Sequence, residues 1–178
     1  MATLEEFIKG AVALDSLTGT EANLTTPFEL AVNPTFPETA ANIGKRTTTG
    51  WTGQTATAVF AGFQRPVSGG TNWYVGCKIP VLTTATGQGF GFVAQLEGER
   101  YELFMFKGST AGQVAIACEK ENVLLEEKSG QTWAANDSWF IAGFEGKVYI
   151  CRLTSANAFT TPIKEKGSPA KKLTVGRV

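Results

Sequence analysis

From Asn72 onward the chain alternates. Trp73, Val75, Cys77 and Ile79 fall on one side of an extended backbone, and Tyr74, Gly76 and Lys78 on the other. Phe90, Phe92, Ala94 and Leu96 repeat the pattern, as do Tyr101, Leu103 and Met105, and then Val114, Ile116 and Cys118. A period of two lines up one face of a pleated strand; a helix would need apolar neighbours three or four apart. Turn formers break the runs: Lys120-Glu-Asn122 leads into Val123-Leu-Leu125, Glu145-Gly146 separates 140–144 from 147–153, and residues 172–178 close the chain as a last strand. Many short strands parted by turns, with almost no helix, predict an all-β fold: a two-sheet antiparallel β-sandwich, or jelly roll.

Two hairpins echo each other. Leu96-Glu-Gly-Glu99 and Phe144-Glu-Gly-Lys147 both set Glu-Gly between strands, where glycine supplies the positive φ of a tight turn. Pairing outward from Glu145-Gly146 puts Ala142 opposite Tyr149 and Ile141 opposite Val148. Both faces of that strand pair are then largely apolar. It should lie centrally in its sheet, one face covered by the second sheet and the other by a loop or a partner.

Helical periodicity occurs once, at the start. Thr3-Leu-Glu-Glu6 has capping-box spacing, Leu4, Phe7 and Ile8 form one apolar stripe, and Gly10 ends the helix after about two turns. So short a helix needs a surface to lie on. It lies on the domain or docks on a partner, and Leu4, Phe7 and Ile8 are the candidate docking residues. Residues 1–12 thus read as a docking arm or short helix, and 13–178 as a single domain. Within it, 15–71 are rich in Thr, Gly, Asn and Pro, with β candidates at 28–32 and 55–63 around a long irregular excursion.

Composition narrows the chemistry. The 178 residues suit one domain with a real core, and 16 basic residues balance 16 acidic ones, so no net field draws nucleic acid or an anionic membrane. No stretch nears the ~20 apolar residues of a membrane span. The start, MATLEEFIKGAVAL, is acidic where a secretory signal is basic, so the expectation is synthesis in the cytoplasm. Cys77, Cys118 and Cys151 are an odd, widely spaced set in apolar runs, read as three reduced, buried thiols. Histidine is absent, which excludes the Ser-His-Asp triad, the Cys-His pair and HExxH zinc chemistry.

Carboxylates remain. Glu97, Glu99 and Glu102 cluster in one hairpin, but Glu97 sits in the turn, and Glu99 and Glu102, three apart, point to opposite faces. With Tyr101 and Leu103 facing the core, Glu102 faces outward beside Arg100 and Gln95. The chain is therefore expected not to be an enzyme. No metal or cofactor is expected either: there are two Asp, Asp15 and Asp137, and Asn136-Asp137 reads as a turn before the Trp139 strand. Gly87-Gln-Gly-Phe-Gly91 precedes a strand instead of a helix and lacks the phosphate-binding Lys-Ser/Thr ending. The charged run 164–172 reads as a solvated loop. Trp51 and Trp133, in loop-like contexts, are the candidate sugar-stacking platforms, against the plainer reading that they anchor loops.

The order of elements resembles the concanavalin A-like lectin/glucanase jelly roll in its laminin-G-like form. The matching features are Asp15-Ser-Leu-Thr-Gly19, Gly50-Trp51, the strand at 73–79, Gly89-Phe-Gly-Phe92 before Tyr101-Glu-Leu103, and the strand–turn–strand run at 138–150. The resemblance implies the fold over 12–178, and by analogy a lectin, hydrolase, adhesion or viral structural role. Glucanases of this kind carry acids at i, i+2 and i+4 on one strand, a spacing from which Glu97-Gly-Glu99-Arg-Tyr-Glu102 departs. The expected function is a non-enzymatic structural or adhesive protein of a phage or virus particle, a capsid decoration or tail accessory protein. Its expected partner is a protein lattice, with self-association a further option. The rival is a lectin-like module recognising a cell-surface or matrix glycan.

Overall fold

The computed structural model describes residues 2–11, 22–23, 29–30, 45–52, 63–64, 66–67, 71–81, 89–96, 99–107, 110–164 and 176–177. At 22–23, 29–30, 45–46, 51–52, 63–64, 66–67, 90, 95 and 176–177 it describes backbone alone. The chain forms two compact units, Val12–Pro66 and the combination of Met1–Ala11 with Val67–Val178. The N-terminal helix thus shares a unit with the sandwich strands, whereas the sequence divides more naturally after residue 12.

In the Val12–Pro66 unit, β1 (Ala22–Asn23), β3 (Lys45–Thr47) and β4 (Gly50–Thr52) make a three-stranded sheet, while β2 (Glu29–Leu30) pairs with β5 (Phe63–Gln64). The β3–β4 turn is closed by Thr47, whose hydroxyl donates to the Gly50 carbonyl at 2.7 Å and accepts from the Thr49 N–H at 3.3 Å. Of the strand candidates at 28–32 and 55–63, Glu29–Leu30 and Phe63 fall within the described residues.

In the other unit the alternating runs become two facing antiparallel sheets. The larger has the order β11-β10-β9-β8-β15-β6, built from β6 (Pro66–Val67), β8 (Gly89–Leu96), β9 (Glu99–Lys107), β10 (Gln113–Lys120), β11 (Val123–Thr132) and β15 (Gly176–Arg177). The smaller has the order β14-β13-β12-β7, from β7 (Trp73–Ile79), β12 (Asp137–Phe144), β13 (Lys147–Leu153) and β14 (Phe159–Ile163). The two-sheet antiparallel sandwich read from the sequence is this structure. Its core joins Trp73, Val75, Ile79, Trp139, Ile141 and Ile150 of one sheet to Ala94, Leu96, Tyr101, Leu103, Met105 and Ile116 of the other.

Hairpin register follows the Gly turns. Leu96 faces Glu99 across Glu97-Gly98, which themselves lie outside the described residues. At the second hairpin Ala142 faces Tyr149, as expected, but Ile141 faces Ile150, and Val148 faces Gly143. The expected Ile141–Val148 pair was wrong because each outward step on one strand requires an outward step on the other. Glu145 and Gly146 both take positive φ, 48° and 75°, as a two-residue turn matched to strand twist demands. Gly143 is small for a different reason: a Cβ there would stand 2.4 Å from the Trp73 ring.

The outer face of the four-stranded sheet is apolar too, and α1 (Leu4–Lys9) lies on it. The Thr3 hydroxyl accepts from the Glu6 N–H at 3.2 Å, and the Glu6 carboxylate accepts from the Thr3 N–H at 2.7 Å, completing the capping box. Ile8 is fully buried with Phe140, Ala142 and Cys151. The Phe7 ring meets Tyr74 edge-on at 5.3 Å and Phe144 at 5.4 Å. Of the two fates open to the helix, the structure places it on its own domain. The stripe of Leu4, Phe7 and Ile8 is therefore covered from within the chain.

Candidate functional site

The acids come first, because carboxylate chemistry is what the composition leaves. Glu99 shares the inward parity of Tyr101 and sits at the strand end, where the Lys120 amine meets its carboxylate at 3.0 Å. Glu102 has the opposite parity and pairs with the Arg100 guanidinium at 2.8 Å. Arg100 also ties the β10–β11 turn: its backbone N–H and guanidinium donate to the Glu121 and Asn122 side chains, and its carbonyl accepts from the Glu121 N–H at 3.0 Å. Glu121 and Asn122 take positive φ, 50° and 61°, in that two-residue turn. The hairpin reading thus holds: the Glu99 ion pair joins β9 to β10, and the Glu102 ion pair lies along β9 itself. One expectation needs correction. Glu102 does not lie open beside Arg100 but is only 5% exposed. Burial raises its pKa above the ordinary carboxylate value, Arg100 opposes that rise, and Glu119 across the ladder adds to it.

The second buried acid was read only as a turn residue. Asp137, wholly buried at the start of β12, accepts from Arg152 Nε at 2.8 Å and Nη2 at 2.5 Å. It also accepts from the backbone N–H groups of Ala134 at 3.0 Å and Ser155 at 3.2 Å. Asn136, with φ of 68°, makes the turn ahead of it. The carboxylate locks the 134–137 turn to the β13–β14 loop, and the guanidinium lies over the Trp139 ring, 5.6 Å from its centroid. A signal for this pair was present in Arg152, a charge set inside the largely apolar run of β13, a position a charge holds only when paired.

The aromatic candidates divide. Trp133 is half-buried and packs against the sandwich core, its backbone N–H donating to the Gly112 carbonyl at 2.9 Å. Trp51 stands opposite Arg46 on β4, and its side chain lies outside the described residues. The structure does not bring the two together in one unit.

The thiols are separate. Cys118 and Cys151 are buried, Cys77 is partly so, and none of the three is in a disulfide. Burial pushes the Cys77 thiol up to about 11 and Cys151 to about 12. Among the described residues, no three His, Cys, Asp or Glu gather as a metal site, and no helix is long and apolar enough to cross a membrane. The fold therefore defines a class, the all-β two-sheet sandwich with a helix on one outer face. Comparison with protein-family models, curated proteins and solved structures gives no match.

Proposed function

We propose that the chain is a non-catalytic structural or adhesive sandwich protein, carried on a phage or virus particle as a capsid decoration or tail accessory protein. The observation that carries the non-catalytic part is the fate of the acids. Glu99 and Glu102 diverge to opposite faces, and each is held in an ion pair, Glu99 with Lys120 of the neighbouring strand and Glu102 with Arg100 of its own. Retaining hydrolysis instead needs two carboxyl groups about 5 Å apart, flanking the scissile sugar bond.

The particle setting is supported by the sequence resemblance and by one surface feature. Val123 and Leu124, 63% and 51% exposed, follow the tight β10–β11 turn that Arg100 braces. A lattice partner meets this apolar tip, because Leu4, Phe7 and Ile8 are held on the chain's own sheet. Mass spectrometry of purified particles tests the reading. Many copies per particle are expected, falling at least tenfold for a Val123→Asp/Leu124→Asp variant. Intact particles without the chain would overturn the reading, and undiminished copy number in the variant would overturn the docking tip.

A further inference from the structure

Both edge strands at one side of the sandwich are bulged, and the bulges face each other. On β11 an extra residue enters between Lys128, opposite Ile116, and Gln131, opposite Val114; Gly130 there has a φ of +65°. On β14 an extra residue enters between Thr160, opposite Arg152, and Ile163, opposite Ile150, at Thr161-Pro162. The Lys128 amine spans the gap to the Pro162 carbonyl at 2.7 Å. Between the bulges lies a cleft of about 270 Å³, lined by residues 130–132, Trp139, Arg152 and 160–162. Paired bulges at an edge re-aim side chains and end strand pairing, and they recur beside binding sites.

We infer that this cleft binds a small neutral ligand rich in hydroxyl groups, the size of glycerol to a single sugar ring. The row Trp139–Arg152–Thr160 crosses β12, β13 and β14 in register, so the three side chains share the inward face at the cleft. Arg152 is neutralised by Asp137, and the Lys128 amine reaches the Pro162 carbonyl and Glu126. No uncompensated charge in the lining calls for an anion. What remains is hydrogen-bonding capacity: the hydroxyls of Thr132, Thr160 and Thr161, and the Gln131 carboxamide, whose N–H₂ donates to the Ser129 carbonyl at 3.1 Å.

A second observation points to an occupant. The indole N–H of Trp139 is buried and has no partner among the described residues. Trp73 and Trp133 share that condition, but Trp139 is the one of the three that lines the cleft. A buried donor left unpaired is costly, so a hydroxyl oxygen that reached it from the cleft would be held there. The volume falls just below the roughly 300 Å³ at the small end of ligand sites, in keeping with a small ligand. The inference goes beyond the particle reading and stands without it.

Titrating ¹⁵N-labelled full-length protein with glycerol, methyl glucoside and methyl galactoside tests it, with sulfate and acetamide as the anion and amide probes. The Trp139 indole resonance and the amides of residues 130–132 and 160–161 are expected to shift together and saturably with at least one hydroxylated probe. Thr160→Val, at an exposed edge position, should weaken that binding at least tenfold while leaving the rest of the spectrum in place. Unmoved Trp139 resonances with every hydroxylated probe, a response to sulfate or acetamide alone, or full-strength binding by Thr160→Val would each overturn the assignment.

Discussion

At the scale of single residues, the two buried acids have opposite settings. Asp137 is satisfied on every side, so its loss strands a guanidinium that is 14% exposed. Asp137→Ala should cost roughly 3–5 kcal/mol in urea denaturation, the penalty of an unpaired buried charge. Replacing both partners, as Asp137→Leu/Arg152→Met, should recover most of it; equal loss in the double variant would show that packing, and not the orphaned charge, sets the cost. Glu102 is unfavourably placed when ionised. Its folded pKa is raised, so the stability it contributes is full below the unfolded value near 4.5 and is lost as pH rises through the folded value. Glu102→Gln carries no such loss. Its urea midpoint should gain on the native chain's between pH 4 and pH 8, and a pH-independent difference would contradict the raised pKa.

At the scale of elements, α1 shows how short a helix the sandwich can hold. Six residues are too few to persist alone, so the capping box sets where the helix starts and the sheet supplies its stability. Ile8→Ala should cost about 2 kcal/mol or more, read from thermal or urea unfolding. No change would mean that the helix leaves the sheet readily. The sequence made the capping box, the apolar stripe and the face of each long strand legible, because all three are short-range periodicities. It also made legible that the strand pair 140–153 is apolar on both faces. It could not say what covers the second face, since the stripe and its landing site are far apart in sequence. The cleft was illegible for the same reason: a bulge exists only relative to a neighbouring strand's register. Gly130 and Pro162, each inside a strand, were the traces it left.

For the whole molecule, two sheets closing on a continuous core shield the thiols. Cys118 and Cys151 lie within the packed layers, and raised pKa values keep Cys77 and Cys151 protonated near neutral pH. Iodoacetamide at pH 8 should label the native protein slowly and the urea-unfolded chain at all three positions; rapid native labelling would indicate an opening in the sandwich. The carboxylate reading shows the limit of spacing arguments at this scale. Spacing placed Glu99 and Glu102 on opposite faces and identified the hairpin, yet it gave no sign that Glu102 is buried, because burial depends on the whole fold.

The placement of α1 also has a consequence in time. Its landing strands, β12 and β13, leave the ribosome roughly 130 residues after it, on the order of ten seconds at ~5–20 residues per second. Through that interval Leu4, Phe7 and Ile8 have no sheet to cover them. The apolar stripe thus stays uncovered until β12 and β13 have paired, so the helix closes the second apolar layer as a late latch.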